Sequence, residues 1–124
     1  MGMAVLVAAI FSLLLPQNGW SQGNQKLQEP SLKGKKVLFV YGGWKGHEPQ
    51  QSVDVFVPWM RSEGAEVVVS ETLDSYLDEK LMASLDLIVQ IWTMGKITKE
   101  QEAGLLKAVK KGAGLAGWHG GTGD

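Results

Sequence analysis

Lys36-Val-Leu-Phe-Val-Tyr41, closed by Gly42-Gly43, is the stretch that decides the fold. A short continuous apolar run without polar alternation fits a strand buried on both faces, as in a parallel sheet covered by helices. The chain beyond it repeats that unit. Pro49 suits the first turn of a helix, and Val53, Phe56, Val57 and Met60 fall on one apolar stripe. Pro58 lies inside the stripe and is expected to kink or shorten the helix, which Gly64 ends. Glu66-Val-Val-Val-Ser70 reads as a second strand. Leu73 to Ser84 is mixed, a loop plus a short helix near Glu79 to Ala83.

Leu85 to Trp92 reads as the third strand, with Thr93-Met94-Gly95 as its loop. Thr98-Lys-Glu-Gln101 is a capping box, in which hydroxyl and amide side chains satisfy orphan amide groups. The helix it opens runs to Lys111. Lys107, Lys110 and Lys111 sit near the negative end of its dipole, and Gly112 follows as the C′ residue. Gly114-Leu-Ala-Gly-Trp118 is a fourth strand leading into His119-Gly-Gly-Thr-Gly-Asp124. Strand–helix alternation at this spacing predicts a parallel sheet with right-handed crossovers. A helix is due where the chain stops, so a truncated or fragmentary domain is expected.

The 124 residues suffice for one domain, and an apolar fraction of 44% fits a folded one. With 12 basic and 13 acidic residues the net charge is −1. No basic stripe suggests nucleic acid, and no polybasic segment suggests an anionic membrane. Cysteine is absent, which excludes disulfides, thiolate metal sites, a thiol nucleophile and a lipoprotein anchor. Residues 1 to 25 carry no charged side chain. Ala4 to Leu15 is largely apolar, Pro16 breaks the run, and Gly19-Trp20-Ser21 offers a small-x-small site before Gln22. This is the layout of a signal peptide over residues 1–21, although its n-region has no Lys or Arg. As a helix the apolar run rises only about 18 Å, too short for a hydrocarbon core of about 30 Å. Export to a secreted or periplasmic location is therefore expected, without stable membrane insertion after cleavage; a retained anchor is the alternative. Gln22 to Lys35 reads as a polar linker.

In open parallel sheets, ligands bind outside the carboxyl ends of the strands. Three loops leave that edge, the first with Trp44, His47 and Glu48, the second with Trp92, Thr93 and Met94. The third carries Trp118, His119, Thr122 and Asp124. His47 and His119 suit a general acid/base pair, because imidazole titrates near neutrality. They equally suit fixing two Gly-rich loops by hydrogen bonding. A metal site with Glu48 or Asp124 is the weaker reading, since no spacing such as H-E-x-x-H occurs. Trp44 suits stacking on the apolar face of a sugar ring. Trp92 and Trp118, at strand ends, suit core packing at least as well. Gly42-Gly43-x-x-Gly46 lacks the Lys-Ser/Thr ending of a phosphate loop.

Three stretches, Val40-Tyr-Gly-Gly-Trp-Lys-Gly-His-Glu48, Asp86-Leu-Ile-Val-Gln-Ile-Trp-Thr-Met-Gly95 and Gly114-Leu-Ala-Gly-Trp-His-Gly-Gly121, resemble ThuA-like (trehalose utilisation) domains in order and spacing. The resemblance spans residues 36–124. It implies a flavodoxin-like α/β fold of the class I glutamine amidotransferase type, with helices on both faces of a parallel sheet and its C-terminal part missing here. The related amidotransferases place a catalytic Cys at a sharp strand-to-helix turn. The matching place, Gly117-Trp-His-Gly-Gly121, holds His119, so this is not a Cys-dependent glutamine amidotransferase. The fold analogy leaves the reaction type open. The resemblance implies carbohydrate catabolism, of trehalose, related disaccharides or keto-sugars. As an enzyme, the protein would use His119 and His47 for catalysis, with Trp44, Glu48, Trp92, Thr93, Trp118 and Asp124 binding a small sugar. The alternatives are a non-catalytic carbohydrate-binding or scaffold domain, or an inactive truncated product. The sequence names no cofactor and no oligomeric state.

Overall fold

The computed structural model describes residues 30–118. Within them lies one four-stranded sheet, all parallel, in the order β2-β1-β3-β4, with β1 Lys36–Gly43, β2 Glu66–Ser70, β3 Leu87–Thr93 and β4 Gly114–Ala116. The helices are α1 Pro49–Ser62, α2 Glu79–Ala83 and α3 Lys99–Lys110, joined by short 3-10 helices at Lys45–His47 and Leu73–Leu77.

The apolar run of β1 is buried on both faces because each face carries its own helical cover. Val37, Phe39 and Tyr41 pack with Val57 and Met60 of α1. Leu38 and Val40 pack on the other face with Tyr76, Met82, Leu105 and Ala108, from the second 3-10 helix, α2 and α3. Val37 through Val40 are 0% exposed, which is why that run carries no polar alternation. Each such side chain contributes about 1.5–3 kcal/mol of hydrophobic stabilisation. Among the described residues β4 pairs with β3 alone, and Leu115 is 45% exposed.

Two local devices hold the α3 side. Thr98 Oγ1 accepts from the Gln101 amide at 3.2 Å while Gln101 Oε1 accepts from the Thr98 amide at 3.0 Å, the reciprocal capping box that the sequence predicts. Gln101 Nε2 also donates to Asp74 at 2.8 Å, tying the start of α3 to the 3-10 helix Leu73–Leu77. At the amino edge of the sheet Asp86 accepts from the Lys36 amide at 2.9 Å and from Lys35 Nζ at 3.1 Å. The Lys36 amide and the Lys35 ammonium hold its carboxyl below the usual range.

Pro58 does not shorten α1, which continues to Ser62. The ring removes one amide donor to the Asp54 carbonyl, and both residues lie on the exposed face, where solvent can serve that carbonyl. Tyr76, in the stretch read as mixed, is 1% exposed and donates to Gln90 Oε1 at 2.6 Å.

Candidate functional site

The cover changes sides between β1 and β3: α1, which follows β1, packs on one face, and α3, which follows β3, packs on the other. Such a switch leaves a crevice at the carboxyl ends of the two strands. The register pairs Gly42 with Trp92 and Gly43 with Thr93 at that point. A Cβ on Gly43 would lie 1.8 Å from the Thr93 carbonyl oxygen, and one on Gly42 would lie 2.5 Å from the Trp92 ring. Only residues without a Cβ let the two backbones and the indole come this close. The Trp44 amide then donates to the Thr93 carbonyl at 3.1 Å and binds the first loop to the second.

Past Gly43 the chain enters the 3-10 helix Lys45–His47, which folds the Trp44 ring back along Gly46. The Trp44 and His47 rings meet edge to face, 4.7 Å between centroids at 71°. His47 is half-buried, whereas Trp44 is 50% exposed. Glu48, exposed, and Met94, 77% exposed, hold left-handed backbone with φ 49° and 54°, one in each loop. Non-glycine residues adopt that region at a cost of about 1–3 kcal/mol, and they concentrate at functional loops. Thr93 is buried beneath the junction. Trp92 packs against the core of the α3 face, and among the described residues its indole N–H finds no acceptor.

On the β2 side of β1 lies a cleft of about 580 Å³, walled by Tyr41, Lys45, Glu48, Gln50, Gln51 and Glu71 together with the Gly42-Gly43 backbone. The Tyr41 hydroxyl donates to Glu71 and lies 2.9 Å from Gln50 Oε1, while Gln50 Nε2 donates to Asp54 at 2.9 Å. The bond to Glu71 first, then burial and the charges of Glu71 and Asp54, push the Tyr41 phenol up to about 12.

Of the residues singled out in the sequence, Trp44, His47, Glu48, Trp92 and Thr93 lie at the adjoining carboxyl ends of β1 and β3. Glu48 lines the cleft; Trp44 and His47 are not among its walls. Trp118 turns toward α1, with its ring 4.8 Å from Phe56 and 6.5 Å edge-on from Phe39. His119, Thr122 and Asp124 lie outside the described residues. Among the described residues no three His, Asp or Glu side chains are grouped to hold a metal ion.

Tyr41, Gln50 and Glu71 escaped the sequence reading. A parallel sheet sends every carboxyl end to the same edge, so Glu71, just past β2, belonged there from the start. The pairing of Val40 with Ser70 then brings the next residues, Tyr41 and Glu71, together.

The model of a family described as ThuA, trehalose utilisation, matches residues 36–124. Among solved structures, the crystal structure of a ThuA-like protein from Bacteroides uniformis is similar with a TM-score of 0.60 and 15% sequence identity, over 75% of this chain and 39% of that one. That likeness concerns the fold, a flavodoxin-like α/β arrangement, and this chain spans about two fifths of the other's length. No curated protein matches the sequence.

Proposed function

Because the chain belongs to the ThuA, trehalose utilisation, family, we propose that it is an exported protein acting on a small sugar, a disaccharide such as trehalose or a keto-sugar. The observation that carries this reading is the Trp44–His47 pair on the loop after β1, bonded through the Trp44 amide to the end of β3. A half-exposed indole offers an apolar plate for the CH face of a sugar ring. The imidazole beside it has one ring nitrogen that can give a proton and one that can take it, and suits proton transfer at a sugar hydroxyl or carbonyl. His119, which lies outside the described residues, is proposed from the sequence as the second acid/base group. Glu48, Trp92, Thr93, Trp118 and Asp124 are proposed to bind the substrate.

The test is turnover of a keto-disaccharide by the intact protein and by His47→Ala and His119→Ala. Proton transfer by a positioned side chain is worth about 10²–10⁴-fold in rate, and losses of that size in both variants, with unchanged circular dichroism, are expected. Wild-type turnover in both would remove the histidines from the mechanism.

A second reading is a non-catalytic carbohydrate-binding domain, favoured by the edge-on packing of His47 on Trp44, which suits an imidazole that fixes the ring. In that case Trp44→Ala weakens sugar binding while His119→Ala binds normally. Export rests on the amino-terminal pattern, and the intact mass of the protein from its native source tests it: cleavage after Ser21 leaves a chain beginning at Gln22.

A further inference from the structure

The geometry points to the cleft between the carboxyl ends of β1 and β2 as the place where the hydroxyls of an uncharged sugar are held, with Tyr41 and Glu71 as the anchoring pair. This rests on the carbohydrate reading above and adds where the sugar sits and through which groups.

The Tyr41 hydroxyl faces two acceptors, a carboxylate oxygen of Glu71 and Gln50 Oε1, and it has one proton to give. Exchanging the oxygen and nitrogen of the Gln50 amide does not help. The amide would then donate to Tyr41, but its carbonyl would face the Asp54 carboxylate, where Nε2 now donates at 2.9 Å. The row Glu71–Tyr41–Gln50–Asp54 is one donor short in either arrangement. A ligand hydroxyl completes it by taking the place of water at the exposed side chains of Glu71, Gln50 and Asp54.

Charge narrows the ligand. Glu48 and Glu71 disfavour an anion, and Lys45 in the same wall offsets one of their two charges. A hydroxyl meets the need without charge, donating one bond and accepting up to two. Neighbouring hydroxyls on one ring can donate to Glu71 or Glu48 while accepting from Lys45 or Gln51. The cleft's volume of about 580 Å³ falls within the roughly 300–1,000 Å³ of small-molecule sites. Its floor along Gly42 and Gly43 has no side chain to obstruct a ring. Lys45 and Glu48 flank His47 in sequence, so one loop supplies both a wall of the cleft and the Trp44–His47 pair.

The experiment is calorimetric titration of the intact protein with trehalose, with glucose 6-phosphate and glucosamine as charged comparisons. Tyr41→Phe, Glu71→Gln and His47→Ala are measured alongside the wild type. Tyr41→Phe is expected to weaken trehalose binding about tenfold, the effect of one hydroxyl hydrogen bond left unmade. Glu71→Gln supplies the missing donor from within the protein. It should therefore weaken binding by a similar factor while unfolding no more easily than the wild type. Trehalose binding unchanged in both cleft variants but lost in His47→Ala would overturn the cleft and leave the carbohydrate reading standing. Tighter binding of glucose 6-phosphate than of trehalose would overturn the charge argument. A wild-type protein that binds no neutral sugar would sink both readings together.

Discussion

Gly43→Ala tests whether the carboxyl ends of β1 and β3 are joined as closely as the structure requires. The added methyl would stand 1.8 Å from the Thr93 carbonyl oxygen, on a residue whose φ is 81°. The left-handed backbone costs about 1–2 kcal/mol for a residue with a Cβ. Ordinary carbon–oxygen contacts lie at about 3.3–3.6 Å, so the two backbones must also part by roughly 1.5 Å. That stretches the 3.1 Å bond from the Trp44 amide to Thr93 beyond hydrogen-bonding range. Its loss costs about 1 kcal/mol, and the buried carbonyl left unpaired adds about 1–3 kcal/mol. The sum is about 3–6 kcal/mol. Gly34→Ala is the control, because Gly34 has φ 73° and nothing within 4 Å of the added carbon. It should cost only the backbone share, about 1–2 kcal/mol. Urea unfolding of the intact protein, followed by tryptophan fluorescence, compares the two. With a slope of about 1–3 kcal/mol per molar urea, the Gly43 variant should unfold roughly 1 M or more below the Gly34 variant. Equal midpoints with equal slopes would refute the close approach.

Two further predictions concern titration. Asp86, held below the usual carboxylate range by the Lys36 amide and the Lys35 ammonium, contributes stability that is fully present above the ordinary aspartate pKa. That contribution is lost as pH falls through its lowered folded value. Asp86→Asn should flatten this part of the acid arm, read as unfolding midpoint against pH, and an unchanged acid arm would remove Asp86 from that role. Tyr41, pushed up to about 12, and Tyr76, pushed up by burial, are the protein's two tyrosines. The native protein should therefore show no phenolate step near 10 in a spectrophotometric titration. The stability Tyr41 contributes is present below about 10 and lost as pH rises toward 12. Glu71→Gln should bring the Tyr41 step down, because the bond to that carboxylate is the first cause of the shift.

Where the causes of structure are local or periodic, the sequence was readable. The run from Val37 to Val40 announced a strand covered on both faces, and Thr98 with Gln101 announced the start of α3, since a capping box closes within four residues. Boundaries slipped where tertiary contacts decide. The third strand begins at Leu87 because Leu85 enters the core of the α3 face and Asp86 turns to cap the Lys36 amide. The fourth ends at Ala116, short of Trp118, which leaves the sheet line to pack on Phe56 of α1. The 3-10 helix at Leu73–Leu77 had no periodic signal, and what fixes it is the buried Tyr76 bonded to Gln90 across the core.

The same division runs through the candidate site. His47 and Trp44 stood out because they are rare residue types in a Gly-rich loop, and the strand pattern alone sends that loop to the carboxyl edge. Tyr41, Gln50 and Glu71 are ordinary types, and they meet only because β1 pairs with β2 in the register Val40 to Ser70 while α1 starts beside them. A shift of that register by one residue would carry alternate side chains to the opposite face and take Tyr41 away from Glu71. The chemistry of the cleft is thus written in strand pairing, a non-local property, whereas the chemistry of the Trp44–His47 loop is written in composition. Substitutions that weaken the β1–β2 pairing, such as Val68→Gly beside Leu38, should therefore affect the cleft before they affect the Trp44–His47 loop.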